Sequence, residues 1–253
     1  MSIITLCTDF GEKDSYVASM KGVILGINPS ATIVDASHGV PAHDIRFAAF
    51  VLNGYYRYFP KSTIHVVVVD PGVGGTRSGM VVKTKDYLFV GPDNGVFTHI
   101  LAQGHPACYE LSRGHRASCT FHGRDVFAPA AARFSLRQDS TVLGKKIESP
   151  VRIDVSCPAV GRNGVTGEVI HIDGFGNAIT NIPADLVRTR RIRGIMVKSY
   201  RITGLVGTYE QCSTATPCAL IDSFGLLEIA VHEGSAHTNL GIGMGERVRV
   251  IWK

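Results

Sequence analysis

The feature that most constrains the fold of this chain is an apolar run that ends abruptly in a charged, glycine-rich loop. Residues 64–69 are apolar except for His65, and they lead into Asp70 and a loop with three glycines before Arg77. Such a run is typical of a strand that is buried on both faces of a sheet. Asp70 would then lie at the carboxyl edge of that sheet, where open α/β folds place their ligands. The glycines allow the loop to fold Arg77 back toward Asp70.

Two further segments bring acid and base side chains to predicted loops. Asp9 ends a predicted strand as Asp70 does, and the two carboxylates suit a ribose diol or, equally, a magnesium ion. His122 lies in a distant loop, just before Gly123. A histidine in such a place is as often structural as catalytic, but the neighbouring glycine allows a ligand to approach closely, which favours a functional role.

The order of the predicted elements indicates an N-terminal α/β domain over residues 1–150. Strands and helices alternate through about residue 140, which predicts a mostly parallel sheet with helices on both faces. The best helix signal is an apolar stripe over 44–59, and Asp14 and Asp125 are expected to cap two further helices.

The second half of the chain has a different character. Residues 145–163 have the composition of a linker. The runs that follow are short and rich in β-formers, and a single segment, 183–189, has a helical pattern. They predict a small all-β domain over 164–253, built as a barrel or a sandwich.

Composition excludes several classes of protein. The chain has 253 residues, of which 45% are hydrophobic and 19% charged, as in globular proteins. The net charge is +5, and the densest basic run, four arginines within 188–193, has no aromatic neighbours for base stacking, so we expect no nucleic-acid partner. No apolar stretch approaches the ~20 residues that cross a membrane, and the N-terminus lacks the basic region of a signal peptide. We therefore expect no membrane partner and a cytoplasmic location.

The cysteines predict free thiols. All six lie outside any C-x-x-C pattern, which in a reducing compartment argues against disulfides and against structural zinc.

Established catalytic motifs do not explain the chain. The loop 72–75 could cradle an anion through its backbone amides, but Asp70 at its mouth would repel phosphate, and no P-loop occurs. A nucleophile elbow and an H-E-x-x-H helix are also absent from the sequence. Residues 173–177 fit either a hairpin turn or a purine pocket. The strand entry at 223–228 likewise fits either a structural or a functional role.

Taken in order, several segments resemble one family, the S-adenosyl-L-methionine hydroxide adenosyltransferases. These enzymes are also called adenosine-forming S-adenosylmethionine hydrolases, and they are relatives of the fluorinase and chlorinase halogenases. The resemblance runs in sequence order over nearly the whole chain. The segments that carry it are Thr8–Gly11, Met20–Ile24, Val69–Arg77, Val90–Gly95, Thr120–Ala131, Phe175–Ile182 and Ser223–Val231.

The resemblance implies a fold, an assembly and a reaction. The fold is an α/β domain followed by a β-barrel-like domain, and the assembly is a homotrimer in which the N-terminal domain of one subunit and the C-terminal domain of its neighbour hold the substrate. The reaction is hydrolysis of S-adenosyl-L-methionine, in its R sulfonium epimer, to adenosine and L-methionine, without a metal or other cofactor. The implied catalytic residues are Asp70, Arg77 and His122. The implied substrate-binding residues are Asp9, Asp70, Thr120, Phe121, Asp173, Phe175, Asn177, Ser223, Glu228 and Val231.

Departures from the family pattern bear on the type of reaction. The halogenases have Tyr at the place of His122, Ser at the place of Gly123 and a longer insertion after the second Asp-bearing strand, and this chain has none of these features. It also has Arg77, which favours the hydrolase. Gly75 stands where the family often has Thr. Either Asp70 or His122 could take the proton from water. The alternatives are a halide-dependent 5′-halogenase, a non-catalytic adenosine- or S-adenosylmethionine-binding protein, and a metal-dependent phosphohydrolase.

Overall fold

The computed structural model describes residues 2–112, 117–137 and 143–253, and the chain divides into two compact units, Met1–Asp154 and Val155–Lys253. The strands of the first unit are β1 (Ile3–Thr8), β2 (Thr32–Ser37), β3 (Ile64–Val68), β4 (Gly79–Lys83), β5 (Leu88–Pro92), β6 (Ala107–Leu111) and β7 (Leu143–Lys146). They form one sheet in the order β2-β1-β3-β5-β4-β6-β7. The apolar run at 64–69 forms β3, an interior strand of this sheet, and all side chains of β3 are buried.

The sheet is mixed, so the prediction of a mostly parallel sheet is not confirmed. Pairings β1–β2, β1–β3 and β3–β5 are parallel, whereas β4 pairs antiparallel with both β5 and β6, and β6 does so with β7. The reason is local. A tight turn between β4 and β5, closed by a hydrogen bond from Thr84 N to Tyr87 O (3.0 Å), makes a hairpin, and a hairpin can join antiparallel strands only.

Helices cover both faces of the sheet. They are α1 (Tyr16–Ile27), α2 (Ile45–Tyr55), α3 (Thr98–Leu101) and α4 (Ala128–Ser135), with a 3₁₀ turn at Tyr56–Tyr58 and a π-helical turn at Gly123–Phe127. Alternate residues of β3 contribute to two separate cores: Val66 and Val68 pack with α1 and α4, whereas Val67 packs with α2 and α3.

The helix starts agree with the sequence at one of three positions. Asp44 caps α2, because its carboxylate accepts a hydrogen bond from Phe47 N (2.8 Å). The predicted caps Asp14 and Asp125 are wrong. Ser15 occupies the N-cap of α1, and Asp125 lies inside the π-helical turn, where it accepts a hydrogen bond from Ser118 N (2.8 Å).

The second unit is an antiparallel, nearly closed barrel. Its strands are β8 (Ala159–Gly161), β9 (Gly164–Ile172), β10 (Ala178–Pro183), β11 (Ile192–Val197), β12 (Tyr200–Ile202), β13 (Pro217–Ile221), β14 (Leu226–Val231) and β15 (Arg247–Trp252). The order is β12-β11-β15-β9-β10-β14-β13, with β8 paired to β9. A bridge between Leu205, just after β12, and Ala219 of β13 brings the two edges together.

Two helices accompany the barrel strands: α5 (Ala184–Val187), which falls in the predicted helical segment, and α6 (Ala236–Leu240), which was not predicted. The signals for α6 are an N-cap serine, Ser235, which accepts a hydrogen bond from Thr238 N (3.0 Å), and Gly241 in the left-handed conformation after its last residue.

The prediction of six free thiols is wrong for two cysteines. Cys212 and Cys218 form a disulfide, whereas Cys7, Cys108, Cys119 and Cys157 are free. The disulfide joins the segment before β13 to β13 itself. Among the described residues, no helix is both long and apolar enough to cross a membrane.

Candidate active site

A cavity of about 310 Å³ lies at the carboxyl edge of the N-terminal sheet. The residues that line it come from the ends of β1 and β3, the start of α1, the segment before α2 and the loop that leads into the π-helical turn. They include five residues singled out from the sequence: Asp9, Asp70, Thr120, Phe121 and His122. These five residues come from three segments that are far apart in the chain, and the structure brings them together.

Asp70 and Arg77 form a two-pronged ion pair beside this cavity. Arg77 Nε donates to Asp70 Oδ1 (2.9 Å), and Arg77 Nη2 donates to Asp70 Oδ2. Both side chains are largely buried, with 5% of Asp70 and 13% of Arg77 exposed. Because a guanidinium matches a carboxylate in this geometry, the pair fixes the orientation of Asp70 as well as its charge.

His122 extends the ion pair into a line of three residues. Its Nδ1 lies 2.7 Å from Arg77 Nη2. Arginine can only donate hydrogen bonds, so Nδ1 is the acceptor and the proton of the neutral ring is on Nε2. The ring of Phe127 packs beneath both groups, with its centroid 5.4 Å from the Arg77 guanidinium carbon.

Close backbone packing holds the glycine-rich loop against the histidine segment. Gly74 has φ +80°, and a β-carbon at this position would lie 2.2 Å from the carbonyl oxygen of Cys119. A side chain would therefore push apart the segments that carry Arg77 and His122. Asn94 holds the backbone just before Asp70, because its Nδ2 donates to the carbonyl of Val69 (2.8 Å).

Asp9 and three aromatic rings complete the cavity. Asp9 Oδ2 accepts a hydrogen bond from His43 N (2.9 Å). Phe10, Tyr16 and Phe121 contact one another with ring centroids 5.1 to 5.8 Å apart. Thr120 is exposed, and its hydroxyl lies 3.1 Å from that of Ser118. Sequence reasoning missed Phe10, Tyr16 and His43 as cavity residues, although Phe10 directly follows Asp9.

In the barrel, the turn between β9 and β10 is built around Asp173. Its Oδ1 accepts from Phe175 N (2.9 Å) and Asn177 N (2.8 Å), and its Oδ2 accepts from Asn177 Nδ2 (3.1 Å). The ring of Phe175 is 83% exposed at the tip of the turn. Asp173 and Asn177 are thus held together, as a hairpin turn requires.

The same turn recurs between β13 and β14, and this repeat was not predicted from the sequence. Asp222 Oδ1 accepts from Phe224 N (2.9 Å) and Leu226 N (2.8 Å). The signal is an Asp-x-Phe-Gly pattern at 173–176 and again at 222–225, in which each glycine has a positive φ. Ser223 is exposed in the second of these turns.

Glu228 is the most deeply buried carboxylate among the predicted site residues, with 2% of the residue exposed. Tyr209, in a 3₁₀ turn at Tyr209–Gln211, donates its hydroxyl to Glu228 Oε1 (2.8 Å). Burial raises the pKa of Glu228 to about 7, and the carboxylates of Asp173 and Asp222 act in the same direction against the hydrogen bond from Tyr209. Val231 lies on the same strand, with its side chain in the barrel core.

Tyr209 was not identified from the sequence. It lies 19 residues before Glu228 in a segment with no regular pattern, and the disulfide at Cys212 follows it directly. Within the described residues, no three or more His, Cys, Asp and Glu side chains are grouped as they would be around a metal ion.

Comparison with known proteins places these features in one family. The family model of the SAM hydroxide adenosyltransferase N-terminal domain matches residues 4–144, and that of the C-terminal domain matches residues 167–249. A curated (R)-S-adenosyl-L-methionine hydrolase from Methanocaldococcus jannaschii is 36% identical over 100% of this chain and 97% of its own length. One of the same name from Thermus thermophilus is 35% identical over 99% of this chain and 100% of its own.

A solved structure shares the fold as well. An uncharacterized conserved protein from Thermotoga maritima matches 98% of this chain and 99% of its own with a TM-score of 0.88 and 36% identity. Halogenases are more distant, since a fluorinase from Actinoplanes is 26% identical over 71% of this chain and 71% of its own length. This chain belongs to the SAM hydroxide adenosyltransferase family.

Proposed function

We propose that this protein hydrolyses S-adenosyl-L-methionine, as the R sulfonium epimer, to adenosine and L-methionine. The observation that carries the proposal is the hydrogen-bonded line from Asp70 through Arg77 to His122, beside a cavity that Asp9 also lines. Relatives named (R)-S-adenosyl-L-methionine hydrolase, at 35% and 36% identity over nearly the full chain, support both the substrate and the epimer.

The chemistry needs a positioned water and an acceptor for its proton. Water attacks C5′ while the C5′–S bond breaks, the bonding electrons go to sulfur, and methionine leaves as a neutral thioether. One proton is released from the attacking water. Because the leaving group is neutral, no acid is needed to protonate it, and the protein contributes alignment and proton removal.

Asp70 is the proposed proton acceptor. Arg77 is always protonated, so it cannot accept. His122 uses Nδ1 to accept from Arg77, and a second ring proton would place an imidazolium 2.7 Å from a guanidinium. Asp70 is negatively charged and has lone pairs beyond those that Arg77 engages. His122 then orients the water, and Arg77 holds both groups in line.

The remaining predicted residues are proposed to bind the substrate. Asp9 and Asp70 have the acceptor oxygens that a ribose diol requires. The carboxylates near Glu228 suit a cationic substrate. Asp9 and Asp70 are proposed to hold the ribose, with Thr120 and Phe121 beside them in the same cavity. The residues proposed to contact the base and the methionine moiety are Asp173, Phe175, Asn177, Ser223, Glu228 and the backbone at Val231.

The proposal extends to assembly, cofactors and location. We propose a homotrimer, as the resemblance implies, and light scattering during gel filtration should give three times the mass of one chain. The reaction is proposed to need no metal or other cofactor, so EDTA should leave the rate unchanged. We propose a cytoplasmic location, which cell fractionation tests.

The test of the function is chromatography of the purified protein with each separated sulfur epimer, with and without EDTA and chloride. Adenosine and methionine should form in equal amounts from the R epimer under all conditions. Three results would overturn the proposal. A 5′-chloronucleoside would indicate a halogenase, loss of the activity in EDTA would indicate a metal enzyme, and bound nucleoside without product would indicate a binding protein.

A further inference from the structure

A chain of hydrogen bonds runs from α1 to the end of β1, outside the Asp70–Arg77–His122 line. Lys21 Nζ lies 2.5 Å from Asp35 Oδ2, His38 Nε2 lies 3.0 Å from Asp35 Oδ1, and His38 Nδ1 lies 2.9 Å from Thr8 Oγ1. His38 is buried, whereas Lys21 and Asp35 are partly exposed. Thr8 is the residue before Asp9.

The chemistry of the groups fixes which one donates and which one accepts in each of these hydrogen bonds. An ionised carboxylate can only accept, so His38 donates its Nε2 proton to Asp35. In the neutral ring, Nδ1 then accepts, and the Thr8 hydroxyl is its donor. Burial alone would raise the pKa of Asp35, but the hydrogen bonds from Lys21 and His38 outweigh it and lower that pKa, which keeps the acceptor ionised.

The series of hydrogen bonds ends at the loop that carries Asp9. Phe10 N donates to Thr8 Oγ1 (3.2 Å), and Gly11 N donates to the backbone oxygen of His38 (2.9 Å). On the other side of Asp9, His43 adopts a positive φ of 68° and gives its N–H to the Asp9 carboxylate. Segments 8–11 and 38–43 therefore meet at Asp9, and the His38 side chain joins them.

We propose that His38 is a positioning residue that holds the Asp9 loop in place for substrate through the hydroxyl of Thr8. The expected effect of His38 on kinetics rests on the proposed function, whereas its expected effect on the Asp9 loop does not. His38 has no role in the proton transfer, because its contacts lead to Thr8 and Asp35 and not to the cavity. Its loss should therefore weaken substrate binding and leave the chemical step nearly unchanged.

Two similar amide substitutions separate positioning from simple packing. His38→Asn places an amide oxygen near the place of Nδ1, where it can still accept from Thr8, but loses Asp35. His38→Gln places an amide nitrogen near the place of Nε2, where it can still donate to Asp35, but loses Thr8. We expect KM for S-adenosylmethionine to rise about tenfold in the Gln variant and to stay within about twofold in the Asn variant, with kcat within about threefold in both.

Hydrogen exchange of the amides of Phe10 and Gly11 gives a readout that does not depend on activity. These amides should exchange faster in His38→Gln and in Thr8→Val than in the wild type or His38→Asn, at matched thermal stability. Equal exchange and equal KM in the Asn and Gln variants would overturn the inference. If the wild type releases no adenosine, the proposed function fails, whereas the exchange rates still decide the role of His38.

Discussion

The two polar clusters of this protein bury their carboxylates in opposite ways. In the N-terminal cluster, both oxygens of Asp70 accept from the guanidinium of Arg77. In the barrel, Glu228 is more deeply buried, and the neutral phenol of Tyr209 donates a hydrogen bond to it. A guanidinium compensates a buried negative charge at every accessible pH, whereas a phenol supplies a hydrogen bond without a countercharge.

The difference indicates what each cluster is suited to do. Arg77 fixes the orientation of Asp70, as a group that must be aligned with an attacking water requires. Burial, together with the nearby carboxylates of Asp173 and Asp222, makes Glu228 harder to ionise. Under the proposed function the substrate is a cation, so the substrate itself would bring the countercharge that stabilises the ionised form of Glu228.

The largest effect is expected when the ion pair is broken. Asp70→Asn keeps the size of the side chain but removes its charge, and it leaves Arg77 largely buried without a counterion. We expect turnover to fall by roughly a hundredfold or more, because both the proton acceptor and the alignment of His122 are lost. The measurement is the rate of adenosine release, with thermal unfolding recorded in parallel.

Asp86→Asn is a matched control for this variant. Asp86 precedes β5, at the opposite edge of the same sheet, and pairs with the exposed side chain of Lys61 (3.1 Å). An exposed ion pair contributes about 1 kcal/mol or less, so the control should keep its activity and its stability. Turnover within about tenfold of the wild type in Asp70→Asn would remove Asp70 from the chemistry.

The contrast between the clusters also explains how much the sequence could predict. The strand β3, the position of Asp70 at its end and the return of Arg77 depend on residues close together in the chain, and the apolar run and the glycines encode them directly. His122 joins them from 45 residues away. No local pattern encodes that contact, so its place was implied by family resemblance alone.

The barrel cluster depends on contacts that local patterns do not encode. The turn at Asp173 was visible, but its partner at Asp222 was missed because the Asp-x-Phe-Gly pattern is short. Tyr209 reaches Glu228 from an irregular segment, and the Cys212–Cys218 disulfide anchors that segment at a spacing that resembles no standard motif. The direction of β4 could not be predicted either. It is set by the tight turn between β4 and β5, which the alternation of predicted strands and helices does not reveal.

A second, smaller effect is expected from removing the titration of Glu228. Its pKa is about 7 in the folded protein and 4.5 ordinarily. Between these values the folded state holds a proton that the unfolded chain has released, so the wild type should lose stability as the pH rises from 4.5 to 7. Glu228→Gln does not titrate, and the two free energies of unfolding should diverge by about 2 kcal/mol between pH 5 and pH 8.

Urea unfolding at both pH values measures this difference, and Glu148→Gln, a change at an exposed carboxylate, is the control. Substrate affinity should follow the opposite trend. KM for S-adenosylmethionine in the wild type should fall as the pH rises through 7, because an ionised Glu228 attracts a cation and a neutral one does not. Parallel pH profiles of the wild type and Glu228→Gln, in both stability and KM, would show that Glu228 does not titrate in this range.

The smallest effect is expected from the phenol. Burial and the neighbouring Glu228 raise the pKa of Tyr209, so its hydroxyl stays protonated and donates. Tyr209→Phe removes a hydrogen bond that favours the charged form of Glu228, which should move the midpoint of the KM–pH profile upward by about one unit, the equivalent of about 1.4 kcal/mol. Tyr58→Phe, at a tyrosine that is 77% exposed in the other unit, should leave the midpoint in place. An unchanged midpoint in Tyr209→Phe would mean that burial and the neighbouring carboxylates alone set the charge of Glu228, and that the phenol merely covers it.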